Sequence, residues 1–203
     1  MRVVLFKSNC EIDTFRVVYN EHGEPVSWLF LSPSVSPWRP PSDSNNPGLR
    51  LYKFDTDTGQ VLDYTQFYLD LNHANQHGKA EWQPEYNLTS HYGLSDVSPR
   101  SLHRLAESFR SLDDTELFER YVRANTVSLT PGTSSSHGSS LGSTSHSCRE
   151  RSCQHVHYCA ITRLGYPEYR RCLSDEAVWS GASSSSSSCL LVLVVLLALV
   201  RQR

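Results

Sequence analysis

The sequence predicts an α+β fold in which strands come first, helices follow, and a small cysteine-rich segment closes the ordered part. Three observations lead there. Apolar and β-branched runs separated by turn residues fill the stretch up to Leu71, helical spacing with capping residues starts at Ser98, and four of the six cysteines fall between residues 148 and 172. Most aromatic residues also lie before residue 128, so the first 127 residues hold the material of a buried core. The remainder is too polar or too short to fold by apolar burial alone.

The elements follow in order. Phe15 to Tyr19 and Val26 to Leu31 are β-rich runs flanking Asn20-Glu21-His22-Gly23-Glu24, which is turn chemistry, so the pair reads as a hairpin. A proline-broken loop, Ser32 to Pro47, comes next. A second hairpin is expected from Leu49 to Phe54, the turn Asp55-Thr56-Asp57-Thr58-Gly59, and Val61 to Leu71. In that last run Leu62, Tyr64, Gln66 and Tyr68 take one face and Asp63, Thr65, Phe67 and Leu69 the other, so apolar groups lie on both faces. Such a strand belongs inside a larger assembly. Ser98 is a candidate N-cap with Pro99 at the first helical position, and Leu102, Leu105 and Phe109 recur at helical spacing. Asp113, with Glu116 three residues on, resembles a capping box, and Leu117, Phe118, Tyr121 and Val122 form the buried side of a second helix. Ser128 to Ser147 is Ser, Thr, Gly and little else, a flexible linker that cannot repay the entropy of ordering.

The cysteines set the next expectation. Pairing Cys148 with Cys153 and Cys159 with Cys172 closes two short loops in a segment too small to hold itself together otherwise. The other reading is zinc, with His155 and His157 as further ligands, although neither C-x2-C nor H-x3-5-H spacing is present. Cys10 and Cys189 look unpaired. The single sequon, Asn87-Leu88-Thr89, points toward the secretory pathway as well.

At the other end, Cys189 to Val200 is an apolar run of about 18 Å as a helix, short against a hydrocarbon core of about 30 Å. Ser180, Gly181 and Ala182, followed by a serine spacer, give it the layout of a glycolipid (GPI) anchor signal, with those three residues as the attachment site. The competing reading is a tail anchor held by Arg201 and Arg203. Met1 to Lys7 offers only four consecutive apolar residues, below the roughly 7 to 15 of a signal-peptide core. Export features without a visible entry signal lead us to expect that the true amino-terminal portion is missing. A net charge of -2 gives no global field to attract nucleic acid, so the charge argues against a dedicated nucleic-acid binder.

Several separated motifs then carry a resemblance. Ile12-Asp13-Thr14-Phe15, Trp28 to Trp38, Asn46-Pro47-Gly48-Leu49-Arg50, Leu62 to Leu69 and Trp82-Gln83-Pro84-Glu85-Tyr86 resemble the carboxyl-terminal region of the acid sphingomyelinase family, and in particular its sphingomyelinase-like phosphodiesterases. The likeness spans residues 11 to 127, resumes at the four cysteines and reaches the anchor-type tail. It implies the last strands of a metallophosphoesterase β-sandwich over 1–72, a helical subdomain over 73–127, the Ser-rich linker as an insertion over 128–147, a disulfide-bonded segment over 148–172 and an anchor signal or hydrophobic tail over 180–203.

The resemblance also implies chemistry. In such enzymes two zinc ions, held by Asp, His and Asn from several loops, activate water against a phosphodiester or phosphoanhydride. The last of those loops is a Gly-His-x-His motif, and its places are taken here by Ser8, Asn9, Cys10 and Glu11. Asn9 and Glu11 offer oxygen where the family has imidazole, so the expectation is no catalytic residue and no zinc bound by this chain alone. His73 and His77, four apart, lack a third ligand and a general base. Two functions remain: the carboxyl-terminal portion of a secreted or surface-anchored phosphodiesterase acting on sphingomyelin-like lipids or nucleotide phosphates, or a non-catalytic, surface-anchored lipid- or protein-binding module. Both place the chain outside the cell or on the outer face of the plasma membrane, attached through a glycolipid or its tail. The oligomeric state is left open.

Overall fold

The computed structural model describes residues 12–36, 45–111, 115–127, 148 and 151–175. These form an α+β fold with two small antiparallel sheets. The expected capping residue Asp113, the Ser-rich stretch, Cys10, Cys189 and the tail lie outside the described residues, as do all of the loop positions 8–11 and all of the anchor triplet.

The first hairpin pairs β1 (Thr14–Tyr19) with β2 (Pro25–Leu31). Its turn is fixed by Asn20, whose Oδ1 accepts the backbone N–H groups of His22 at 3.0 Å and Glu24 at 2.9 Å. The second sheet has the order β3 (Gly48–Phe54), β4 (Val61–Leu69), β5 (Trp82–Asn87). Asp55 organises the β3–β4 turn by accepting from the N–H groups of Asp57 and Thr58 and the Thr58 hydroxyl, and Gly59 supplies the positive φ of 73° that the turn needs. Gly48 is required for a different reason: a Cβ there would meet Pro33 Cγ at 2.3 Å, so the loop can cross the sheet only over a glycine.

Strand β5 was not expected. It lies inside the stretch 73–127 read as helical, and it pairs with β4, so the sheet crosses the division placed at residue 72. Its Pro84 sits opposite Phe67 where the register shifts, on an edge strand, one of the few places where a missing N–H is tolerated in a sheet. β4 thereby becomes the central strand, which is why it carries apolar groups on both faces. It ends at Leu69 rather than Leu71, because Asp70 accepts from His73 N–H at 3.0 Å and caps the helix α1 (Leu71–His77).

The helices α2 (Leu88–Tyr92) and α3 (Pro99–Ser108) follow. α3 starts as expected, with Ser98 Oγ accepting from Ser101 N–H at 3.2 Å and Pro99 in the first turn. Asp96 braces the same cap, accepting from Ser98 N–H and the Ser101 hydroxyl, and these hydrogen bonds pull its carboxyl down to about 2. A carboxylate whose folded pKa is depressed stabilises the fold above its unfolded value and loses that stabilisation as pH falls. The start of α3 is therefore expected to fray between about pH 4 and pH 2. Amide exchange of Ser101 to Arg104 should show this, Asp96→Asn should remove the transition, and unchanged protection in the parent across that window would refute it.

The next helix, α4 (Glu116–Asn125), departs from the expected capping box. Thr115 occupies the cap position without a side-chain cap bond, and Glu116 opens the helix and pairs with Arg120 one turn on. The cysteine-rich segment is more ordered than its composition suggested: it forms α5 (Arg151–Thr162) and α6 (Tyr166–Ser174). α5 packs against β1 and α3, and Tyr158, Cys159 and Ile161 are buried. Arg16 of β1 donates to the Ala160 carbonyl at 2.6 Å, satisfying an orphan acceptor in the last turn of α5. The core is continuous from Phe15 and Val17 through Leu102, Leu105 and Phe109 to Phe118, Tyr121 and Ile161.

Candidate functional site

The polar groups that the fold concentrates meet at the entrance to β1. Asp13 precedes that strand and is 4% exposed. In β3 the inward phase set by Gly48 and Tyr52 also takes Arg50, and in β4 the same alternation turns Gln66 and Tyr64 inward. Asp13 Oδ1 receives Arg50 Nη2 at 2.5 Å, and Asp13 Oδ2 receives the Tyr86 hydroxyl at 2.6 Å. Arg50 Nε donates to Gln66 Oε1 at 2.9 Å, and its guanidinium carbon lies 3.8 Å from the centroid of the Tyr64 ring. The Asp13 carbonyl accepts from Asn125 Nδ2 at 2.9 Å, which ties the end of α4 to the same point.

Electrostatics fix the charge states. Burial alone would lower the pKa of Arg50, but Asp13 and the surrounding tyrosines hold it well above the usual arginine value. Burial, reinforced by Asp13, drives Tyr86 well above the ordinary tyrosine range, and burial likewise raises Tyr64. The cluster is thus an ion pair ringed by neutral hydroxyls. Both carboxylate oxygens of Asp13 are engaged by core side chains, and the residue is 4% exposed.

A second concentration lies on α5. Cys148 is joined to Cys153 and Cys159 to Cys172, the expected pairing, with Cα separations of 5.4 and 5.7 Å. The second bridge holds α6, in which no residue is fully buried. The buried His155 contacts the Cys172 carbonyl at 2.7 Å and Cys159 Sγ at 3.6 Å. His157 contacts the Tyr121 hydroxyl at 3.3 Å, and burial pushes its imidazole down to about 4, so it is neutral at pH 7. Among the described residues two groups bring together three possible metal ligands: Cys148, Cys153 and His157, and His155, Cys159 and Cys172. Neither contains the carboxylate or amide oxygens of a two-zinc phosphoesterase centre. The described residues do not fit that centre.

The other candidates stand apart from both clusters. His73 and His77 stack at 4.2 Å on exposed α1, and no third ligand is gathered to them among the described residues. Asn87 is exposed at the β5–α2 junction, while Thr89 of the same sequon donates its hydroxyl to Asp63 at 2.8 Å. An open groove of about 490 Å³ beside α6 carries Arg110, Arg163, Arg171, Glu168 and Asp175, of which Arg110 pairs with Glu107 and Arg171 with Glu168. Asn9, Glu11, Ser180, Gly181 and Ala182 lie outside the described residues. Sequence reasoning missed the Asp13–Arg50 pair. The signal was there, since Arg50 shares its strand phase with Tyr52, but an arginine at an inward position looks like an error until its partner is known.

The profile of the family described as Acid sphingomyelin phosphodiesterase C-terminal region matches residues 24–179. The chain is 31% identical over 166 residues to the human (Homo sapiens) acid sphingomyelinase-like phosphodiesterase 3b, covering 79% of this chain and 33% of that protein. It is 33% identical over 170 residues to the cyclic GMP-AMP phosphodiesterase of Homo sapiens, covering 83% and 34%. With the sphingomyelinase phosphodiesterase C of Dictyostelium discoideum it shares 40% identity over 100 residues, 45% of this chain and 22% of that one. The chain thus spans about a third of the length of the first two relatives.

Proposed function

This chain belongs to the acid sphingomyelin phosphodiesterase family, and on that footing we propose that it serves as the carboxyl-terminal region of a secreted or surface-anchored phosphodiesterase and is not hydrolytic by itself. In this reading β1 to β5 are the last strands of the phosphoesterase sandwich, and the helices with their two disulfides brace them. The relatives' names support phosphodiester hydrolysis as the activity of the whole enzyme, with a sphingolipid or a cyclic dinucleotide as the class of substrate. The single observation that carries the non-catalytic role is the Asp13–Arg50–Tyr86 cluster: the acid nearest the altered loop is spent on the core. The test is the purified oxidised chain with added zinc, assayed on an aryl phosphodiester, on sphingomyelin and on a cyclic dinucleotide. The expected result is no turnover above buffer, and zinc-dependent turnover on any of the three would overturn the reading.

Placement at the outer cell surface is part of the same proposal. It is supported by the two disulfides, the exposed sequon at Asn87, and the small triplet Ser180-Gly181-Ala182 ahead of the apolar run. No helix among the described residues is long and apolar enough to cross a membrane. With a secretion signal fused to residue 1, the chain is expected to reach the surface of animal cells and to be released by a phosphatidylinositol-specific phospholipase. Retention with the peptide Cys189 to Arg203 still attached would point to a tail anchor instead.

A further inference from the structure

The spacing of ligands along α5 carries more than a pair of disulfides requires. Cys153 and His157 are four residues apart, and so are His155 and Cys159, so each pair shares one face of the helix. His155 and His157 are two apart and point to different sides. Each face receives one further cysteine from outside the helix, Cys148 from just upstream and Cys172 from α6, and within each set the ligand atoms lie within 4.8 Å of one another. A tetrahedral zinc site has sulfur–nitrogen edges of about 3.5 Å, given metal–ligand bonds of about 2.3 and 2.0 Å. Cys159 Sγ already lies 3.6 Å from His155 Nε2. Two of the three ligands in each set lie one turn apart on α5, a helix that packs on β1 and α3 as well as being held by the bridges.

We propose that the reduced chain binds two divalent metal ions of the zinc class, one at Cys148, Cys153 and His157 and the other at His155, Cys159 and Cys172. A dithiol reductant delivers two electrons and two protons to each disulfide and itself becomes a disulfide. Each metal ion then displaces the two thiol protons, binds two thiolates and one imidazole, and keeps its fourth position for water. The two sites differ in strength. His157 has the Tyr121 hydroxyl beside Nδ1, and Tyr121 in turn lies 2.7 Å from Thr14 Oγ1, an outer shell of the kind that orients a ligating imidazole. His155 gives up its contact with the Cys172 carbonyl to bind through Nε2, so its site is the weaker one.

The experiment uses the full chain with Cys10→Ser and Cys189→Ser, reduced, freed of reductant without air and titrated with cobalt(II). Two equivalents should bind with thiolate-to-cobalt charge-transfer absorption, and the oxidised chain should bind none. His157→Ala and His155→Ala should each remove one of the two equivalents. Two equivalents retained in both variants, or none bound by the parent, would overturn the proposal. Because a substitution can also disturb α5, a second measurement uses the parent sequence. Zinc is added to the reduced chain before alkylation and mass spectrometry. Protection of Cys148, Cys153, Cys159 and Cys172, with Cys10 and Cys189 still labelled, is expected; equal labelling of all six would reject the sites.

Discussion

Arg50→Ala is expected to cost about 3 to 5 kcal/mol, the usual consequence of removing one partner of a buried ion pair. A domain of this size is stable by only about 5 to 15 kcal/mol, so the variant should lose a large share of its stability and unfold at a much lower urea concentration. The loss exceeds that of an ordinary salt bridge because Asp13, 4% exposed, is left without its cation and with Tyr86 as its remaining side-chain partner, while Gln66 loses its donor. Arg50→Lys should recover only part of the loss, since one ammonium cannot serve Gln66 and Asp13 from the two separate nitrogens that Arg50 uses. The double variant Asp13→Asn with Arg50→Met removes both charges and should be more stable than Arg50→Ala. Urea denaturation followed by tryptophan fluorescence gives the comparison. A loss below about 1 kcal/mol for Arg50→Ala would mean that the pair is solvated and does not hold β3 to the start of β1.

Phe109→Ala should be of similar size, about 3 to 5 kcal/mol, and for an unrelated reason. The ring is fully buried at the end of α3, with its centroid 5.0 Å from that of Tyr121, 5.6 Å from Phe118 and 6.4 Å from Phe15. Its removal therefore opens a cavity where α3, α4 and β1 meet, and three rigid aromatic rings cannot collapse into it. Phe109→Leu, which keeps most of the volume, should cost much less, about 1 to 1.5 kcal/mol. Equal losses for the two substitutions would place the effect in the aromatic contacts rather than in the cavity.

The site is where sequence and structure part most clearly. The pairing of the four cysteines was readable because each bridge closes a short loop, of 5 and 13 residues. The role of the neighbouring histidines was not, because which one flanks which bridge depends on the helical phase of α5, and nothing in the composition of 148–172 announced that helix. Asp13 was legible only as part of a motif. Its partners Arg50, Tyr86 and Asn125 lie 37, 73 and 112 residues away, and no window along the chain contains them.

The sequence by itself determined whatever rests on neighbours within about one turn: the Asn20 and Asp55 turns, the Ser98–Pro99 start of α3, the apolar stripe of Leu102, Leu105 and Phe109, and the family motifs. Tertiary structure decided the rest. Trp82 to Asn87, with a proline at its centre, is a strand because the open edge of β4 offers it backbone partners. α5 joins the main core because β1 and α3 bury its apolar side, and Arg50 turns inward because Asp13 waits there. Turns and caps are satisfied by groups already adjacent in the chain, whereas strand edges, buried charges and helix faces acquire their partners only when distant segments meet.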